Sequence, residues 1–189
     1  VLKQQGKKVF LLGNIGNPIL NEIDNIDEES ITVIEVSSHT LEFVKTSPDI
    51  SILLDIYPEH LDHCNGLNDY IKAKFNIAKY QKDTDYFIYN AENELMNGFK
   101  FEYKENDIAI LLNDNNEIKN KVYLKENSIY FNSKFLMNAD EPRMIKGNHM
   151  LNNILFVLAV SEILDLDLMK TINIIKTVKP LSHRMEYVG

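Results

Sequence analysis

The chain predicts an α/β fold: a mostly parallel sheet flanked by helices, with a small antiparallel β meander. Three observations carry this. Residues 8–12, 50–56 and 86–89 are nearly unbroken apolar runs, the pattern of strands buried on both faces. Stretches of helical periodicity alternate with them, as in a sheet whose strands are joined by crossover helices. Residues 121–137 break instead into short alternating runs divided by Glu-Asn and Asn-Ser turn pairs.

In chain order, residues 1–5 read as the last turn of a helix stopped at Gly6. A strand follows over 8–12, then the turn Gly-Asn-Ile-Gly-Asn-Pro. Pro18 suits the start of a short helix over 19–26. Strands are expected at 31–36 and 50–56. Over 67–80, Leu67, Tyr70, Ile71, Phe75, Ile77 and Ala78 give a helix with one apolar face. A short strand at 86–89 leads to a short helix ending near Gly98. The meander comprises 121–124, 128–131 and 134–137. Two apolar helices, 148–164 and 168–178, close the chain, with Asp167 as the N-cap of the second.

Composition narrows the function. The 189 residues are 44% hydrophobic and 25% charged, ordinary for a globular chain. A net charge of -8 opposes a nucleic-acid surface, which needs clustered Lys and Arg. It leaves room for a nucleotide site, which needs only a few local donors. The single cysteine, Cys64, forms no internal disulfide, which fits a reducing, cytoplasmic setting. No apolar run has the length of a membrane span, so no membrane partner is expected.

Ligands of a parallel sheet sit beyond the C-terminal ends of its strands. Three polar clusters fall there: Gly13 to Gly16 after the first strand; Glu35, Ser37 and Thr40 after the second; Glu59, His60, Asp62 and His63 after the third. Taken singly, each reads as an ordinary turn or a solvated strand end. The sheet gathers all three onto one rim, which makes a site the better reading. Lys74 lies among apolar neighbours on the helix that follows. It is either a lysine whose stem covers the core edge or an amine held near the rim, where burial would lower its pKa.

Five motifs occur in order along nearly the whole chain: "GNIGNP", "VIEVSSHTLEF", "YPEHLDHCNGLNDYIKAKFNIAKYQ", "IKGNHMLNN" and "LSHRMEYV". Together they resemble the central domain of the Mur ligases, and "GNIG" directly after the first strand resembles the D-glutamate-adding branch. The resemblance implies a P-loop-type ATPase fold within a cytoplasmic, monomeric ligase of peptidoglycan synthesis. It also implies ATP, D-glutamate and a UDP-linked muramoyl acceptor as ligands, with two Mg²⁺ ions, Mn²⁺ being a possible substitute. By position, Glu35 resembles one Mg²⁺ ligand and His60 the histidine at the second. Lys74 matches the lysine that carries a carbamate and so would supply metal-binding oxygen. These three are the expected catalytic residues. Gly13, Asn14, Ser37 and Thr40 fall where the family contacts its UDP-linked substrate. Asn153 and Arg184 match nucleotide contacts.

The sequence also departs from the family. Met150 stands where an Asn follows the motif His, Thr40 stands for a Gln, and His39 replaces an aromatic residue. The Walker A pattern G-x-x-x-x-G-K-[ST] is missing, since Gly6-Lys7 has neither its spacing nor its hydroxyl. Residues 1–189 are therefore expected to be a central ATPase domain that starts after the phosphate loop, holds a small antiparallel subdomain over about 104–140, and lacks the C-terminal ligase domain. Such a fragment is expected to be inactive alone. The alternatives are another Mur-type ligase, an enzyme like folylpolyglutamate synthase, or a non-catalytic nucleotide-binding module.

Overall fold

The computed structural model describes residues 1–59, 66–145 and 147–179. Strand β1 (Lys8–Gly13) pairs in parallel with β2 (Ser30–Glu35), with Gly13 opposite Glu35. Between them lies α1 (Ile19–Glu22), continued by a 3₁₀ turn at Ile23–Asn25. The helix expected over 19–26 is thus a tighter composite. Its three isoleucines outnumber any good helix former, and β-branched side chains lose rotamer freedom in a helix.

A second sheet runs β3 (Ile50–Leu53), β4 (Tyr86–Asn90), β5 (Ile108–Leu111), β6 (Lys121–Lys125), β7 (Ser128–Phe131) and β8 (Lys134–Asn138). Pairings are parallel as far as β6 and antiparallel from there on. The meander therefore continues the parallel sheet edge to edge. Among the described residues β2 and β3 do not pair, so two ladders stand where a single sheet was expected. They are linked through α2 (Ser38–Phe43), which packs on α3 (Leu67–Lys79). The Asn76 side chain donates to the Leu41 carbonyl at 3.0 Å, fixing that contact.

Period-2 alternation sorts the larger sheet's side chains onto two faces. Ile88, Ile108, Ile110, Val122 and Ile129 pack with Leu155, Leu158 and Ile172 of α5 (Asn148–Ile163) and α6 (Leu168–Thr177). Phe87, Tyr89, Ala109, Leu111 and Tyr123 pack with Tyr70, Ile71 and Phe75 of α3 and with Met96 of α4 (Glu94–Asn97). Covering both faces is what makes these strands read as unbroken apolar runs. Phe75 stacks on Phe99 with centroids 4.6 Å apart and meets Phe87 edge-on at 6.1 Å.

The connections use polar side chains as local locks. Asp85 and Asp107, just before β4 and β5, each accept from the backbone N–H three residues earlier, at 2.6 and 2.7 Å. The same turn thus launches two neighbouring parallel strands. Asp167 caps α6 by accepting from the Lys170 N–H at 3.0 Å, as the sequence predicts. Gly6 ends the first turn with φ at 81°. Gln5 then ties that turn to Thr171 of α6 at 2.8 Å.

At the base of the smaller ladder, Lys8 Nζ lies 2.6 Å from Asp27, and the Ser30 hydroxyl donates to the same carboxylate at 2.7 Å. These hydrogen bonds, Lys8 first, lower the Asp27 pKa from 3.8 to about 2. A carboxylate depressed in the folded state keeps its contribution above its unfolded pKa and loses it as pH falls through the folded one. Titration of the Asp27 side-chain carbon by NMR should therefore show a midpoint near 2, and a midpoint at the ordinary 3.8 would contradict the clasp.

Candidate functional site at the strand rim

The rim begins with the loop after β1. Asn17 N–H donates to the Leu11 carbonyl at 3.1 Å, and Gly13 N–H donates to the Asn17 carbonyl at 3.3 Å, so the chain doubles back on its own strand. Asn14 N–H crosses to the Glu35 carbonyl at 3.1 Å. Gly13 has φ at 98°, and a Cβ there would sit 2.2 Å from the Glu35 oxygen. Gly16 has φ at 92°, and its Cβ would lie 2.3 Å from the Leu11 oxygen. Both glycines of "GNIG" are required twice over, for backbone conformation and for space. The ordinary-turn reading misses this, because the loop is shaped to lie against β2.

Gly13, Asn14 and Glu35 therefore come together at the ends of β1 and β2. Glu35 ends β2 with an exposed side chain that joins no ion pair among the described residues. Two residues on, Ser37 is the N-cap of α2. Its oxygen accepts from the Thr40 N–H at 3.2 Å and lies 3.1 Å from the Thr40 hydroxyl. The two hydroxyls expected to face substrate thus also form a helix cap, which fixes them relative to Glu35. The sequence reading misses α2 because its six residues are too few to show periodicity.

Lys74 is half-buried on α3, with its ammonium 5.0 Å from the centroid of the Tyr70 ring. Tyr70 is itself buried, so this cation–π contact holds the amine over an ordered surface. No hydrogen bond or ion pair among the described residues joins Lys74 to Glu35; α2 couples their elements. Asn153 stands on α5, which covers β5 and β6, and its amide lies 3.8 Å from the Met150 sulfur. Among the described residues it shares no hydrogen bond with the rim. His60, Asp62, His63 and Arg184 lie outside the described residues.

The sequence reading also misses a polar network at the ends of β3 and β4. Asp55 accepts from Asn90 at 2.8 Å and from Asn93 at 3.2 Å. Asn93 donates as well to the Ile56 carbonyl at 3.2 Å and caps α4. These contacts hold the exit of β3, the segment that leads to Glu59. Glu92 reaches across to the Leu112 N–H at 3.0 Å, tying in the end of β5. The available signal was "YNAEN", four polar or small residues directly after an apolar strand.

Mg²⁺ takes hard oxygen ligands. The exposed Glu35 carboxylate fits such an ion, while no three His, Cys, Asp or Glu side chains among the described residues form a metal cluster. A site built here would thus draw on Glu35 and on groups beyond that set.

Comparison with known proteins decides the family. Residues 1–161 match the family described as Mur ligase middle domain. The chain belongs to the Mur ligase family. This Mur ligase domain is 33% identical to the UDP-N-acetylmuramoylalanine--D-glutamate ligase of Clostridium beijerinckii. It is 30% identical to the proteins of that name from Clostridium tetani and Clostridioides difficile. Each match covers the whole chain, which spans 40 to 42% of the length of these relatives. Among solved structures, MurF from Acinetobacter baumannii superposes with a TM-score of 0.56 at 14% identity, over 99% of this chain and 49% of that one. That likeness supports the fold.

The Gly13 contact is testable alone. Gly13→Ala should destabilise the domain by about 2 kcal/mol or more in chemical denaturation, since strain and a backbone clash act together. Gly6 also has a positive φ, 81°, but no neighbour within 4 Å of the added Cβ, so Gly6→Ala should cost less. Equal losses at both positions would contradict the close-approach account.

Proposed function

We propose that this domain is the central part of a cytoplasmic, monomeric, ATP-dependent ligase of peptidoglycan precursor synthesis. It would add D-glutamate to UDP-N-acetylmuramoyl-L-alanine. The observation that carries this reading is the seating of the "GNIG" loop on the carbonyl of Glu35, at the C-terminal rim of a parallel ladder. The D-glutamate ligase name of the relatives supports the choice of amino acid. Leu11 and Val33, paired neighbours on one face of the β1–β2 ladder, are both left open, which supports a place within a larger protein, because an uncovered apolar sheet face marks a contact surface.

In the proposed reaction the acceptor carboxylate attacks the terminal phosphorus of ATP. The bond to the leaving ADP oxygen breaks and an acyl phosphate forms. The amine of D-glutamate then attacks the acyl carbon, phosphate leaves, a proton is released and the amide remains. Two Mg²⁺ ions, when bound, would neutralise the phosphate and carboxylate charges that otherwise repel. Glu35 offers a hard oxygen to one ion, and His60 and a carbamate on Lys74 are proposed for the other. The Tyr70 ring limits the conformations open to Lys74. Gly13 and Asn14, with Ser37 and Thr40, would orient the UDP-linked acceptor, while Asn153 and Arg184 are proposed to contact the nucleotide.

In the full-length protein, phosphate release measured with a panel of amino acids should require D-glutamate. Comparable turnover with lysine or diaminopimelate would move the protein to another branch of the family. Lys74→Ala should lower turnover roughly 100-fold, with partial rescue by added short carboxylates. Unchanged turnover would remove Lys74 from the chemistry.

A further inference from the structure

The groups assigned to the reaction are split between two elements. Helix α2 follows Glu35 and begins with Ser37 and Thr40, and α3 carries Lys74. With six residues α2 is too short to be stable alone in water. One side chain holds each of its ends. At the start Ser37 accepts from the Thr40 N–H at 3.2 Å. At the finish no glycine closes the helix, and Val44 follows in extended backbone. The carbonyls of a last turn have no partner inside their own helix. Leu41, in that turn, is buried, and its carbonyl accepts from the Asn76 amide of α3 at 3.0 Å.

The part of α3 that carries Asn76 is itself anchored. The Ser51 hydroxyl of β3 donates to the Ile77 carbonyl at 2.7 Å. The Ser47 hydroxyl accepts from the Tyr80 N–H at 3.0 Å and lies 3.5 Å from the Asn76 carbonyl. Asn76 thus reaches α2 from a fixed base. Asn is a poor helix former, so its place inside α3 costs local stability, which the bond to α2 offsets. Two positions apart on a helix, Lys74 and Asn76 point to different sides. Asn76 therefore acts on the rim through α2 and not through the lysine.

We propose that Asn76 is a positioning residue. By clipping the open end of α2 to α3, it sets Ser37 and Thr40, assigned to the UDP-linked acceptor, against the metal group assigned to Lys74. This role rests on the ligase reading above. It acts on the acceptor and not on the nucleotide, whose proposed contact Asn153 stands on α5.

The test compares variants of the full-length protein in steady-state turnover. Asn76→Leu keeps the bulk of the side chain, suits a helix and removes the donor, so folding is retained. KM for the UDP-linked acceptor should rise about tenfold and kcat should fall, while KM for ATP changes less than about twofold. A residue that merely held the fold would lower kcat through the folded fraction and leave both KM values unchanged. Asn76→Gln keeps the amide and should recover most of the acceptor KM. A second readout needs no substrate. In Asn76→Leu the Thr40 and Leu41 amides, which bond to Ser37, should exchange with deuterium about tenfold faster, with β4 and β5 unchanged. Unchanged acceptor KM, an equal rise in KM for ATP, no recovery in Asn76→Gln, or unchanged exchange at Thr40 and Leu41 would each overturn the proposal. A wild-type protein that turns over no D-glutamate would overturn the ligase reading instead, and the exchange result would still decide whether Asn76 holds α2.

Discussion

One carbonyl oxygen organises the rim of this domain. Glu35 O accepts from the Asn14 N–H, and Gly13 lies so close that any side chain there would meet it at 2.2 Å. This contact joins the end of β1 to the end of β2, and it fixes where the Glu35 carboxylate departs from the backbone. Ser37 and Thr40 follow within one turn as a helix cap, so their positions derive from the same anchor. The α2 helix then rests on α3, which carries Lys74. Glu35 and Lys74 share no direct bond among the described residues; they are related through a chain of backbone constraints. That suits a site whose ligands must hold their places against phosphate charge.

The sheet architecture was legible wherever burial writes itself into composition. β4 reads as a strand because Phe87 and Tyr89 face α3 while Ile88 faces α5 and α6, leaving no polar position. The helices α3 and α6 show because each is long enough for periodicity to accumulate, and α5 shows as a long, nearly continuous apolar run. β5 was missed although all four of its residues are buried. Four apolar residues after a polar turn carry no period, and only the parallel pairing with β4 and β6 makes them a strand. The separation of β1–β2 from the larger sheet was equally invisible, since pairing partners are a tertiary property.

The rim shows the same division. Order along the chain put Glu35 and the "GNIG" loop at strand ends, but the close approach that requires both glycines was not legible there. The network of Asp55, Asn90 and Asn93 was not legible either. These residues are 35 and 38 positions apart in the chain, and a polar side chain after a strand looks the same whether solvated or shared. Family resemblance placed Asn153 among the nucleotide contacts, yet nothing local links its position on α5 to the rim.

The central claim is that the backbone seat of Glu35 presents its carboxylate to a divalent ion. The direct measurement is Mn²⁺ binding by electron paramagnetic resonance, in the full-length protein with a non-hydrolysable ATP analogue. Glu35→Gln keeps the shape and the backbone contact but removes the charge. The account predicts Mn²⁺ binding about tenfold weaker or more, with the analogue still bound. Unchanged Mn²⁺ affinity in that variant would contradict it.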